Sequence, residues 1–270
     1  MRRAIALVIL ILLLIFAGCS AQQKEHPITE PENTIEEPTS IPTETTVPPE
    51  TIPEETTIET TEAPPPVLHS GIREDGSFDS GTLFIGDSQT YLFVEHFLKT
   101  SNYIGDAKYA AQCGSRHTAF WDENIRPTED GSLYCTFSPE FQGMTFREAA
   151  TALGEDATAI YLMWGSNYTP GATAQNYIDI VQDLLIICPN ATIHLETIPR
   201  GNVQYSEVNQ QISDAWAYFE SIGESRVTLV DTFNGIGSSI GSDRIHVTPT
   251  GREKWYATLL LHAQTLGLDQ

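Results

Sequence analysis

Ala157-Thr158-Ala159-Ile160-Tyr161-Leu162-Met163, followed directly by Trp164-Gly165-Ser166-Asn167, is the clearest buried strand in the chain. The run is apolar without alternation, which marks a strand covered on both faces. Outward from it the same texture recurs. Thr82-Leu83-Phe84-Ile85 is a short apolar run stopped by Gly86. Residues 191–197 and 226–230 read as strands, and 107–112 as a weaker one. Between these lie stretches with apolar residues at helical spacing: 91–100, 146–153, 172–187, 206–221 and 250–266. Cys188-Pro189-Asn190 gives the third of them its stop. Strand and helix alternating at this spacing build βαβ units. The expected fold is α/β: a mostly parallel sheet of about five strands in a single three-layer α/β/α sandwich. In such sheets chemistry sits at the carboxyl ends of the strands, so those ends are where functional residues are sought.

Four strand ends carry candidates. The first strand runs into Gly86-Asp87-Ser88-Gln89 and then a helix, which displays Ser88 beside the positive end of a helix dipole. A serine before a helix can also serve only as its N-cap. Asp87 is read as an acceptor for backbone N–H groups that holds the turn. The second strand is followed by Ala111-Gln112-Cys113-Gly114-Ser115, where glycine allows the backbone to turn an N–H toward a ligand. After the central strand, Asn167 can offer a side-chain amide to developing negative charge, or merely shape a turn. The last strand leads to Ser242-Asp243-Arg244-Ile245-His246-Val247-Thr248-Pro249-Thr250-Gly251. Asp243 and His246, three apart in a loop, can hydrogen-bond. The carboxylate then fixes the imidazole tautomer and stabilises the imidazolium.

Taken in order, Asp87 with Ser88, Gly114, Gly165 with Asn167, and Asp243 with His246 resemble the four blocks of the SGNH (GDSL-type) hydrolases. The resemblance covers residues from about 81 to 251 and implies a flavodoxin-like sheet. It implies Ser88 as nucleophile, His246 as general base and Asp243 as its orienting partner. The N–H groups of Ser88 and Gly114 and the amide of Asn167 would form the oxyanion hole. The first block reads Gly-Asp-Ser-Gln where the family commonly has Leu, which suggests a different acyl-side environment. Trp164, Arg116 and Tyr168 flank the blocks and are candidates for lining a substrate pocket.

The chain's formal charge is -22, and residues 20–66 carry eleven Glu against Lys24 alone. Without a Lys/Arg cluster to neutralise phosphates, nucleic acid is excluded as a partner. Arg2 and Arg3 followed by the apolar stretch 4–17 read as an export signal, shorter than a bilayer span. Phe16-Ala17-Gly18-Cys19-Ser20 resembles a bacterial lipobox, so residues 1–19 are expected to be a lipoprotein signal with Cys19 lipidated. That places the protein outside the cytoplasm, held to the bacterial cell membrane by a lipid anchor. Residues 20–66, rich in Thr, Pro and Glu, cannot bury enough apolar surface to order and read as a disordered linker. Extended at about 3.1 Å per residue, such a tether reaches on the order of 140 Å. Residues 67–270 form the expected hydrolase domain.

Apart from Cys19, the cysteines are Cys113, Cys135 and Cys188, an odd number with no zinc-site spacing. Cys113 and Cys135 could pair; no metal and no cofactor is expected. Gly237-Ser238-Ser239-Ile240-Gly241 matches a G-x-S-x-G elbow in letters, but no helix follows and few residues remain for an acid and a histidine well downstream. Asn167-Tyr168-Thr169 and Asn190-Ala191-Thr192 have the spacing of glycosylation sites, a reading the lipobox disfavours. The expected function is a serine esterase removing O-acyl groups, acetyl above all, from a cell-surface or extracellular glycan. The glycan follows from location and family tendency. The alternatives are an O-acyltransferase using the same acyl-serine, or a non-catalytic glycan-binding module. A lipase is disfavoured because no long apolar lid segment is evident.

Overall fold

Five parallel strands form one sheet: β1 (Thr82–Gly86), β2 (Lys108–Ala111), β3 (Ala159–Met163), β4 (Thr192–Glu196) and β5 (Val227–Val230). Their order across the sheet is β2-β1-β3-β4-β5, the doubly wound, flavodoxin-like arrangement. The computed structural model describes residues 66–125, 141–199 and 203–267, all within the compact unit Thr61–Gln270. The expected signal, Cys19, the linker up to residue 65, and Cys135 lie outside the described residues.

Helices cover both faces. On one side lie α1 (Ser88–Thr100) and the C-terminal helix, Pro249–Thr265. On the other lie α2 (Phe146–Leu153), α3 (Ala174–Ile187) and α4 (Val203–Ser221). A short helix, α5 (Thr232–Ile236), follows β5, so the C-terminal helix is α6. The sequence reading has no counterpart to α5, which is five residues long and starts from the Asp231 cap. Helix α6 begins at Pro249 because Thr248 caps it and proline suits the first helical position, where an N–H is not needed.

Alternation puts β-strand residues of one parity on one face. Tyr109, Phe84, Tyr161, His194 and Thr228 stand in register across all five strands. Tyr161 stacks on both Phe84 (5.2 Å) and His194 (4.5 Å). Phe93 of α1 packs on Phe84 and on Trp255 of α6. The opposite face is aliphatic, with Leu83, Ile85, Ile160, Leu162, Ile193 and Leu195 all buried. Residues 66–81 close the amino edge of the sheet: His69 N donates to Thr192 Oγ1 (2.8 Å) and Tyr161 Oη to Ser70 O (2.6 Å).

Strand β4 carries two buried polar side chains that an apolar reading of the strand does not foresee. His194 bridges Thr228 Oγ1 (2.8 Å) and His69 O (2.9 Å), and burial lowers its pKa to about 3. Glu196, 1 % exposed, accepts from Trp255 Nε1 (2.5 Å) and Thr232 Oγ1 (3.1 Å). Burial outweighs these two donors and raises its pKa to about 7. Between the ordinary carboxyl pKa and about 7, the folded protein therefore holds a proton that the unfolded chain has released. Stability from this group is present at low pH and lost as pH rises through about 7. The full loss is on the order of 3 kcal/mol at most. Glu196→Gln keeps an acceptor and carries no charge. It should raise the melting temperature relative to the parent at pH 8, with the gap closing by pH 5. An equal gap at both pH values would show that Glu196 ionisation is not what the substitution removes.

Candidate active site

Ser88, Gly114 and Asn167 follow three neighbouring strands at one level of the sheet, since Gly86 pairs with both Ala111 and Met163. This is the point where the strand order reverses, between β1 and β3, and where such folds bind ligands. Gly86 ends β1 here because nothing larger fits: a Cβ would lie 2.2 Å from Met163 O and 2.1 Å from Thr90 Oγ1.

The cap of α1 is Asp87, not Ser88: its Oδ1 accepts the Gln89 N–H at 3.0 Å. Ser88 is the first helical residue, with its hydroxyl left for other work. Its Oγ lies 3.2 Å from His246 Nε2, and His246 Nδ1 lies 2.8 Å from Asp243 Oδ2. The structure thus brings all three residues into one line. Asp243 Oδ1 also accepts the N–H groups of Ile245 (2.9 Å) and His246 (3.1 Å). Those bonds, the Ile245 N–H foremost, hold its pKa down at about 2. It is ionised at any ordinary pH and accepts from Nδ1–H, which leaves the Nε2 lone pair facing Ser88. Arg244, between the two, has φ +58°, unusual for a side-chain-bearing residue. That turn folds the carboxylate back onto its own loop, and Arg244 N donates to Gly241 O at 2.9 Å.

The Asn167 side is built as firmly. Asp87 is fully buried, and its Oδ2 accepts the N–H groups of Gly165 (3.3 Å) and Ser166 (2.8 Å). Burial pushes its pKa up against these donors. Tyr177 Oη donates to Trp164 O (2.8 Å) and Tyr205 Oη to Ser166 O (3.0 Å). Gly165 has φ +142°, and a Cβ there would lie 2.6 Å from Tyr177 Oη. Asn167 Nδ2 donates to Ser115 O at 2.9 Å, which joins the loop after β3 to the loop after β2. Gly114, φ +80° and exposed, makes the turn that needs glycine in that second loop.

The three candidate pocket residues separate. Arg116 is exposed and Tyr168 half-buried, both on the loops around the site. Trp164 does not line an open pocket. It is 1 % exposed, packs on Phe146, and donates from Nε1 to Ser115 Oγ at 3.1 Å, so it supports the second loop from beneath. The Gly237–Gly241 stretch is a loop, in which Ile240 bridges to Val247 and Ser239 O accepts the Thr248 N–H (3.0 Å). Asn167, the glycosylation-like position, is half-buried and engaged with Ser115. Three contributors escaped the sequence reading: Ser115, Tyr177 and Gln89, which bonds the loop around His246. Of these only Gln89 left a mark in the sequence, by standing where the resembled hydrolases commonly have Leu.

An acidic residue, an imidazole and a hydroxyl in line can remove the serine proton as the oxygen attacks, then return it to a leaving group. No family model matches the chain, and no curated protein matches it. Among solved structures it is similar to the catalytic domain of peptidoglycan O-acetyltransferase A from Streptococcus pneumoniae, at 18% identity over 69% of this chain and 94% of that one, TM-score 0.45. It is also similar to a family 3 carbohydrate esterase from Talaromyces cellulolyticus, at 12% identity over 69% and 97% of the two chains, TM-score 0.41. A family two carbohydrate esterase from Clostridium thermocellum matches at 13% identity over 68% and 63%, TM-score 0.45. These are likenesses of fold.

Proposed function

We propose that this protein is a serine esterase of the SGNH kind, acting on O-acyl groups of a cell-surface or extracellular glycan. The observation that carries the reading is the line from Asp243 Oδ2 through His246 to Ser88 Oγ, with links of 2.8 and 3.2 Å, at the carboxyl edge of the sheet. Ser88 Oγ attacks the ester carbonyl while His246 Nε2 takes its proton. The charge that develops on the carbonyl oxygen is met by the N–H groups of Ser88 and Gly114 and the second amide hydrogen of Asn167. The tetrahedral intermediate then collapses, breaking the bond to the sugar oxygen, which takes the proton from His246 and leaves as the hydroxyl, with an acyl-Ser88 remaining. Water, deprotonated by the same imidazole, releases the acid and restores the serine.

The glycan substrate is supported by the openness of the site and by the reading of the N-terminal sequence as an export signal followed by an acidic, proline-rich segment. The side chains of His246 and Asp243 are 34 % and 48 % exposed, an arrangement open to an ester borne on a polymer. The test uses the full-length chain with p-nitrophenyl acetate and with O-acetylated xylan. Acetate release from both, and an acetyl adduct on Ser88 trapped by rapid acid quench and located by mass spectrometry, is the expected result. Acetate release with no adduct on Ser88 in the quenched enzyme, and undiminished in Ser88→Ala, would sink the mechanism. Transfer of the acetyl group to added oligosaccharide in preference to water would reassign the protein as an acyltransferase.

A further inference from the structure

The residue after the nucleophile connects two parts of the site that the chain separates by more than 150 positions. Gln89 is 1 % exposed, the second residue of α1. Its Nε2 donates to Ile245 O at 2.6 Å, and its Oε1 accepts the Val247 N–H at 3.2 Å. The two bonds straddle His246. They also fix the amide's orientation, because the opposite flip would set donor against donor and acceptor against acceptor. We propose that Gln89 is a positioning residue that sets His246 against Ser88, a role that rests on the serine esterase reading above.

Among the described residues, the other backbone–backbone bonds of this loop are internal to it. Gly241 N donates to His246 O (2.8 Å), Thr248 N to Ser239 O (3.0 Å) and Arg244 N to Gly241 O (2.9 Å). They keep the loop's shape and say nothing about where it stands relative to α1. Gln89 supplies that registration from the residue next to the nucleophile. Its own backbone is fixed in turn, since its N–H is the one that caps onto Asp87. Asp87, Ser88 and Gln89 thus divide the alignment: Asp87 holds the Asn167 loop, Ser88 supplies the hydroxyl, and Gln89 holds the His246 loop. An apolar side chain of similar size would fill the space but leave the Val247 N–H and Ile245 C=O without partners. The loop would then relax, and the 3.2 Å Ser88–His246 contact is the distance that suffers.

Gln89→Met removes both bonds with little change of shape; Gln89→Glu keeps an acceptor for Val247 and loses the donor to Ile245. In the full-length protein, Gln89→Met should lower kcat for p-nitrophenyl acetate about tenfold or more, with KM within about twofold. Gln89→Glu should also lose kcat at unchanged KM, and it covers the case of a poorly folding methionine variant. By NMR, the downfield His246 Nδ1–H proton should broaden or vanish in Gln89→Met, and the Val247 amide should exchange faster. Parent-like kcat in Gln89→Met, or an unchanged Val247 amide, overturns the proposal. A kcat loss matched by an equal loss of folded protein in both variants does so too. Should Ser88→Ala retain full activity, the esterase reading falls separately. The two NMR signals then decide on their own whether Gln89 positions His246.

Discussion

Ser88→Ala is expected to lower kcat for p-nitrophenyl acetate roughly 10^4- to 10^6-fold, leaving only the rate that binding and the oxyanion donors support. The size follows from covalent chemistry. Without Oγ no acyl-enzyme forms, and water would have to enter a position shaped for the serine oxygen. The fold should not suffer. Asp87 and not Ser88 caps α1, so removing the hydroxyl strips no cap, and the bond lost is the one to His246. A melting temperature near the parent's alongside the collapse in rate is the combined result expected. His246→Ala should fall nearly as far, and the double variant no further than the worse single one, because the two residues act as one unit. Losses that multiply in the double variant would mean that serine and imidazole act in separate steps.

The order of the candidate site along the chain is legible because each block lies at a strand end, where local signals are strong. Leu83-Phe84-Ile85 stopping at Gly86 marks both the strand and its termination, and the structure shows why: a Cβ would strike Met163 O. Asp243 and His246 are three residues apart, and a short loop can join them without help from elsewhere. What sequence did not yield was the bonding between blocks. Gln89 and its loop partners are 156 and 158 residues away, and no periodicity reports a contact of that range. In sequence the Gln stands out only as a departure from Leu that suggests a different acyl-side environment, whereas its amide faces the His246 loop. Trp164, a candidate for pocket lining in the sequence, is buried in the structure, and the sequence is ambiguous there for a related reason. A tryptophan beside a motif offers both a stacking face and a donor, and only the fold shows that its donor is spent on Ser115 Oγ. In β4, the buried His194 and Glu196 look like breaks in an apolar run. They are tolerated because Thr228, His69 O, Trp255 and Thr232 supply partners from four other parts of the chain.

Asn167→Ala should lower kcat roughly 10^2- to 10^3-fold, with KM altered little, since the amide meets charge that exists only in the transition state. The structure makes this more than an analogy of residue type. An Asn amide has two N–H donors, and one of them is committed to Ser115 O at 2.9 Å. That bond also orients the group, for the carbonyl of Ser115 accepts the NH2 end and turns the amide oxygen away. Ser115 is itself held, because its hydroxyl donates to Gln112 O (2.8 Å) and accepts from Trp164 Nε1 (3.1 Å). In the proposed mechanism the second hydrogen of Asn167, on an amide held by fixed partners, would meet the oxyanion without rearrangement. Loss of the side chain should not loosen the loop, whose backbone is tied to Asp87, Tyr177 and Tyr205. Rate and melting temperature should accordingly part company, the first falling steeply and the second staying near the parent's. Asn167→Asp should be at least as slow as the alanine variant, because a carboxylate would oppose both Ser115 O and the developing charge. A loss below about threefold in Asn167→Ala, with steady-state kcat and KM both measured, would mean that backbone N–H groups alone carry the oxyanion.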